Sequence, residues 1–77
     1  MKKYYHYTYS IEDKYSEILG NGVIEEDDGL FRMFDSIKFY AEKNNVDESQ
    51  IIISFPYEIL EEQFKYLYTY ISKEKER

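Results

Sequence analysis

The chain has no cysteine and no tryptophan, and only one histidine (His6) and one proline (Pro56), in 77 residues. Without cysteine no disulfide can staple it and no thiolate zinc site can form. With one imidazole, a histidine-pair metal site or a His-centred relay has no second partner. No nucleophile elbow, phosphate-cradling glycine loop or metal-ligand spacing is visible, so the reading is of a non-enzyme without metal or cofactor. No apolar run approaches the roughly 18–20 residues of a membrane span, and Lys2-Lys3 leads into tyrosines instead of a signal-peptide core. Positive charge is also short: ten Lys and Arg stand against sixteen Asp and Glu, a net charge of −6. That balance argues against direct nucleic-acid binding through phosphate neutralisation. The expectation is a single domain spanning residues 1–77, cytoplasmic and independent of membranes. A chain this short buries only about 60–65% of the surface it exposes unfolded, so its stability margin is thin.

What the chain has in excess is tyrosine, ten residues of it. A tyrosine carries a large ring and a hydroxyl that needs a partner or water, which suits half-buried cores and contact surfaces. Two roles compete for these rings: extension of a small core to its edges, or anchorage of a binding face.

Local patterns give an element order. Lys3–Tyr9 is aromatic and β-branched and reads as a strand, with Tyr5, Tyr7 and Tyr9 on one face and Tyr4, His6 and Thr8 on the other. Ser10 and Asp13 suggest a capping box, and Ile11, Tyr15, Ile18 and Leu19 share a helical face, so a helix is predicted up to the stop at Gly20-Asn21-Gly22. Val23-Ile24 then opens an extended stretch. The pair Asp28-Gly29 signals a hairpin, with Leu30–Phe34 as the returning strand. Asp35 or Ser36 can cap a second helix over Ile37–Asn44, which leaves through Asn44-Asn45.

Val46–Gln50 reads as loop, and Ile51–Phe55 as a strand buried on both faces and hence central. Pro56 suits the first turn of a last helix from Tyr57 onward, whose stripe is Leu60, Phe64, Leu67 and Ile71. The charged tail Ser72–Arg77 is expected to fray. The predicted order is β-α-β-β-α-β-α, an α+β domain of two layers, most simply with its helices on one face of a short sheet.

The segment Tyr5-His6-Tyr7-Thr8, followed by the stretch ending Ile18-Leu19-Gly20-Asn21-Gly22-Val23-Ile24, resembles the opening of ADP-ribosyltransferase-like domains. Those begin with a strand bearing His-Tyr-Thr and a helix ending in a Leu-x-x-Gly-type turn. The resemblance covers residues 4–24. It implies that His6 contacts a ribose of NAD and that Thr8 supports the same site. Phe34–Ala41 is similar to the family's strand-to-helix segment, where Tyr40 would flank the nicotinamide. The family's late strand with its catalytic Glu has no counterpart after Phe55, and Glu58 and Glu61 fall on the predicted last helix. The implied function is therefore a reduced module that binds NAD or another nucleotide.

The acidic residues support a different reading, and the stronger one. Residues 12–28 hold seven acids and one base, and residues 44–64 hold five acids and none. Glu25, Glu26, Asp27 and Asp28, with Glu61 and Glu62, can present a negative surface to a basic partner. Tyr66 and Tyr70, at i and i+4 on the last helix, would add apolar contact area. The expected function is a small acidic interaction protein that blocks or modulates a basic, nucleic-acid-binding site on a larger protein. In size and charge it is similar to small acidic anti-defence inhibitors of phages and other mobile elements, the anti-CRISPR proteins among them. A self-associating structural protein is the remaining alternative, drawn from the same tyrosines.

Overall fold

The computed structural model describes residues 1–75, with side chains as far as Ile71. Two long strands open the chain: β1 (Lys3–Glu12) and β2 (Glu17–Glu26), paired antiparallel along their whole length. α1 (Met33–Asn44) follows, then a single 3-10 turn (Glu48–Gln50), β3 (Ile51–Ile53), β4 (Tyr57–Ile59) and α2 (Glu61–Lys75). A short antiparallel sheet with two helices is the α+β class expected. The arrangement within it departs from the predicted order in three places.

First, no helix follows β1. Asp13 closes a tight turn instead: its N–H donates to the Ser16 carbonyl at 2.8 Å, and its side chain accepts from the Lys14 N–H. Asp favours turns because its short carboxylate bonds nearby backbone in this way. Ile11 and Ile18 then face each other across the hairpin. Their seven-residue spacing therefore imitates a helical face while arising from two strands folded over four residues.

Gly20 and Gly22 do not stop a helix either. They lie in mid-strand opposite Tyr9 and Tyr7, whose rings occupy the space a side chain would fill; a Cβ on Gly22 would lie 2.7 Å from the Tyr40 hydroxyl. A ring laid over a strand glycine covers backbone that would otherwise face water.

Second, Asp27–Gly29 ends β2 without starting a hairpin, and Leu30–Phe34 is not a strand. Gly29 takes φ +79°, a conformation open to glycine, and its N–H returns to the Glu26 carbonyl at 3.1 Å. Phe31 turns inward against Tyr5 and Tyr7, and α1 begins at Met33. Met33, Ile37, Tyr40 and Ala41 keep one helical spacing, so the true stripe starts a turn before the predicted one. Ser36 is consequently a buried interior residue, not a cap. The predicted exit holds: Asn45 is left-handed (φ 55°, ψ 49°) and the Val46 N–H reaches back to the Ala41 carbonyl at 3.0 Å.

Third, the central strand is β1, because both of its edges are paired. β2 takes one edge, and β3 and β4 share the other. β3 is therefore an edge strand, with Ile51 and Ile53 buried and Ile52 52% exposed. Between Tyr9↔Ile53 and His6↔Tyr57, the outer chain carries three residues against two on β1. The extra residue makes a bulge, where Pro56 sits harmlessly because it owes the ladder no N–H. Ser54 stitches the gap: its N–H donates to the Thr8 carbonyl at 2.9 Å and its hydroxyl accepts from the Thr8 N–H and Oγ1. Pro56 and Tyr57 thus lie outside the last helix, which starts at Glu61 and runs through Lys75. Residues 76 and 77 of the expected tail lie outside the described residues.

The core is small. Tyr7, Ile11, Tyr40, Ala41, Ile51 and Ile53 are buried, with Tyr9, Ile24, Phe31, Ile37 and Val46 packed around them. Tyr40 stacks on Tyr9 at 4.1 Å between centroids and shares a 2.7 Å hydroxyl–hydroxyl bond with Tyr7. α1 therefore lies over the odd-numbered residues of β1. α2 meets the even-numbered ones through Phe64, whose ring is 4.9 Å from that of Tyr4. Alternation along one strand thus puts the two helices against opposite faces, not on the single face predicted for them.

Candidate interaction surface

The acidic run at the end of β2 is tied down by the chain's own cations. The Arg32 guanidinium bonds Asp28 and reaches Glu26 Oε1 and the Leu30 carbonyl at 3.3 and 3.1 Å. Lys2 lies 3.6 Å from Glu25 and 3.8 Å from Asp27. Hydrogen bonds from Arg32 and from the Leu30 N–H hold the Asp28 carboxyl down at about 2. The Tyr5 hydroxyl donates to the Gly29 carbonyl at 2.6 Å and fixes the turn from beneath. Four carboxylates thus share two cations, and much of the expected negative charge closes a turn.

Glu25 also faces Tyr4, its partner in the ladder. The Tyr4 hydroxyl donates to Glu61 Oε1 at 3.0 Å across the gap to α2. Loss of water contact, then that bond to Glu61, then the charges of Glu61 and Glu25 push the Tyr4 hydroxyl up to about 12. The two acidic stretches noted in the sequence therefore meet at one ring.

Beside them, β4 and the first two turns of α2 enclose a groove of about 490 Å³, lined by His6, Tyr57, Ile59, Glu62, Tyr66 and Leu67 among others. The His6 ring lies edge-on to Tyr57 at 5.4 Å. The Tyr57 hydroxyl lies 3.0 Å from His6 Nδ1, within hydrogen-bond distance, and Nε2 faces Asn21 Oδ1 at 3.4 Å. An imidazole with its hydrogen on Nε2 satisfies both contacts. Glu62 and Tyr66, four residues apart, place a carboxylate and a ring side by side on the groove's helical wall. Tyr66 is 74% exposed and Tyr57 58%. Tyr70 is exposed one turn further along α2.

The residues singled out for nucleotide contact are dispersed. His6 lines the groove, Thr8 is bonded into the bulge by Ser54, and Tyr40 is buried against Tyr7 and Tyr9 under α1. His6 and Tyr40 thus lie against opposite faces of the sheet. Removal from water, with Tyr7 beside it, pushes the Tyr40 hydroxyl well above the ordinary tyrosine range.

Tyr57, Ile59 and Leu67 escaped the sequence reading of the site. The alternation Tyr57-Glu58-Ile59 just after Pro56 is a strand signal, masked there by the expectation that proline opens a helix. Among the described residues no group of three His, Asp or Glu is placed to hold a metal ion, and no helix is long and apolar enough to cross a membrane. Comparison of the chain with protein-family models, curated proteins and solved structures finds no match.

Proposed function

We propose that this chain is a non-enzymatic interaction protein whose β4–α2 side docks on a basic surface of a larger protein and obstructs it. The observation that carries the reading is the make-up of that side. Exposed Tyr57 and Tyr66 line an open groove with Glu62, and exposed Leu60 and Glu61 stand at the start of α2. Large exposed rings supply contact area at low side-chain entropy, and carboxylates among them favour a cationic partner. Carboxylates spaced over such a face can take the places that phosphates occupy on a nucleic-acid-binding protein, as in the small acidic inhibitors that the chain resembles in size and charge.

The test is capture of partners from a bacterial lysate on the immobilised chain, followed by binding measurements with each purified partner. The expected partner is basic, loses its nucleic acid when the chain is added, and binds at least tenfold more weakly at about 0.5 M than at about 0.05 M salt, because screening shortens the reach of the charges. An affinity indifferent to salt would overturn the reading.

A further inference from the structure

We propose that the β4–α2 groove is a receptor for a single arginine side chain of the partner, held between the rings of Tyr57 and Tyr66 and paired with Glu62. The inference deepens the docking reading above and rests on it. Its starting point is a local charge imbalance. Of the three carboxylates on β4 and the first turn of α2, Glu58 points to the other face of the sheet and is paired with Lys3 at 3.6 Å, and Glu61 is paired with Lys65 at 3.7 Å. Glu62 lines the groove, and among the described residues it has neither an ion pair nor a hydrogen bond.

That imbalance decides between occupants. A wholly apolar segment would strip water from the Glu62 carboxylate and return no partner, a penalty of the kind that excludes unpaired charge from interfaces. A second copy of this chain brings a net charge of −6 to a groove whose one charged side chain is the carboxylate of Glu62. A cationic side chain meets neither objection. Between the two cationic residues, the walls favour arginine: a guanidinium is planar, weakly hydrated and stacks on aromatic faces, and it can bond a carboxylate through two N–H groups at once. An ammonium is compact and strongly hydrated and gains less between rings. The apolar floor of Ile59 and Leu67 suits the methylene stem behind the charge.

The walls are also set in advance. His6 holds the Tyr57 hydroxyl from β1, so that ring is oriented before any ligand arrives. Gln63, next to Glu62, is occupied in accepting the Leu60 N–H at 2.9 Å, which fixes the start of α2 and the direction in which Glu62 leaves it. His6 acts here as a positioning residue and not as a ligand contact.

The experiment is an NMR titration of the full chain at low salt with three blocked pentapeptides: Gly-Gly-Arg-Gly-Gly, its citrulline counterpart, which is neutral and nearly the same shape, and its lysine counterpart. The arginine peptide is expected to shift the resonances of His6, Tyr57, Tyr66 and Leu67 and to leave those of the Glu25–Asp28 turn in place. Citrulline and lysine should each bind about fivefold more weakly, the scale of an exposed cation–π contact. Glu62→Gln and Tyr66→Ala, both at exposed positions, should each weaken arginine binding by a similar factor while leaving the spectrum of the β1–β2 hairpin unchanged. Equal binding of citrulline or lysine, shifts centred on Glu25–Asp28, or an unaltered affinity in Glu62→Gln would each overturn the assignment. If the peptide ignores the groove while a basic partner still binds with the expected salt dependence, the arginine site falls and the docking reading stands. A groove that takes the peptide, beside a partner indifferent to salt, would have the reverse meaning.

Discussion

The two faces of β1 use the same residue type for opposite ends. Under α1, Tyr9 stacks on Tyr40, Tyr40 is bonded hydroxyl to hydroxyl to Tyr7, and Tyr7 and Tyr40 are the two largest side chains of a six-residue core. Under α2, Tyr57 and Tyr66 line a groove and Tyr4 packs on Phe64, with their hydroxyls turned to carboxylate, imidazole or solvent. The difference lies in what stands opposite each ring. Gly20 and Gly22 leave room for Tyr9 and Tyr7 to lie flat on the sheet, whereas Tyr4 and His6 face Glu25 and Val23 and must stand up from it. One side therefore holds the domain together, and the other is left for contact.

That division is broken most directly by truncating one ring on each side. Tyr40→Ala should destabilise the domain by about 3–5 kcal/mol, the usual cost of deleting a buried aromatic. Against a total of about 5 kcal/mol for a domain of this size, it should leave the chain largely unfolded in urea melts followed by circular dichroism. Tyr66→Ala should change stability by less than about 0.5 kcal/mol, as exposed positions do. Comparable losses from the two would erase the distinction between faces.

A smaller effect tests the glycine explanation. Gly22→Ala places a Cβ against two hydroxyls that are bonded to each other inside the core, so neither can move away freely. The expected loss is about 1–3 kcal/mol by overpacking, read as a lowered urea midpoint. A neutral result would mean that the rings are not seated on the glycines. Finer still, Tyr40→Phe should cost about 1–2 kcal/mol, because it strands the Tyr7 hydroxyl in the core. Adding Tyr7→Phe should recover much of that loss, since a pair of apolar rings asks for no partner. The same melts on the two single variants and the double variant would measure the coupling.

How much of this was legible in the sequence follows from which interactions are local. The strand through Lys3–Tyr9, its alternation of faces and the left-handed exit at Asn45 depend on neighbouring residues and were readable. The helix predicted over residues 11–19 was not excluded by any local rule, because two β-branched residues seven apart satisfy a helical face and a four-residue hairpin equally well. What separates the two is the ring of Tyr9 lying on Gly20, a contact across the hairpin. Ile51-Ile52-Ile53 misled for a related reason: a continuous apolar run signals a strand buried on both sides, yet only two of its three side chains are covered. In the candidate site, Glu62 and Tyr66 were visible as acidic and exposed residues of the last helix. Their juxtaposition with His6 and Tyr57 was not, because it depends on the bulge at Ser54–Pro56 that lets β4 rejoin β1. The acidic run was visible as charge, but its neutralisation by Lys2 and Arg32 required the turn to be folded.

The weakest expected effects are those of pH, and they separate the core from the acidic turn by sign. Burial raises the hydroxyls of Tyr7 and Tyr40 above their ordinary 10.0. Folding therefore favours their protonated forms, and that contribution is complete below pH 10 and lost as pH rises beyond it. Phenolate absorbance should then show these two rings ionising only together with unfolding. At Asp28 the sign is reversed. Hydrogen bonds from Arg32 and Leu30 lower its carboxyl from 3.8 to about 2, so the tether is present above pH 3.8 and is lost as pH falls through about 2. Because this turn lies at the surface, its opening should leave the hairpin and the Tyr7–Tyr40 pair intact. Carboxyl carbon NMR between pH 4 and 2 reads it directly, and Arg32→Ala should return the Asp28 titration toward 3.8. An acid transition that took the Tyr7 and Tyr40 resonances with it would tie the acidic turn to the core more firmly than its contacts there, Tyr5 with the Gly29 carbonyl and Phe31 with Tyr7, account for.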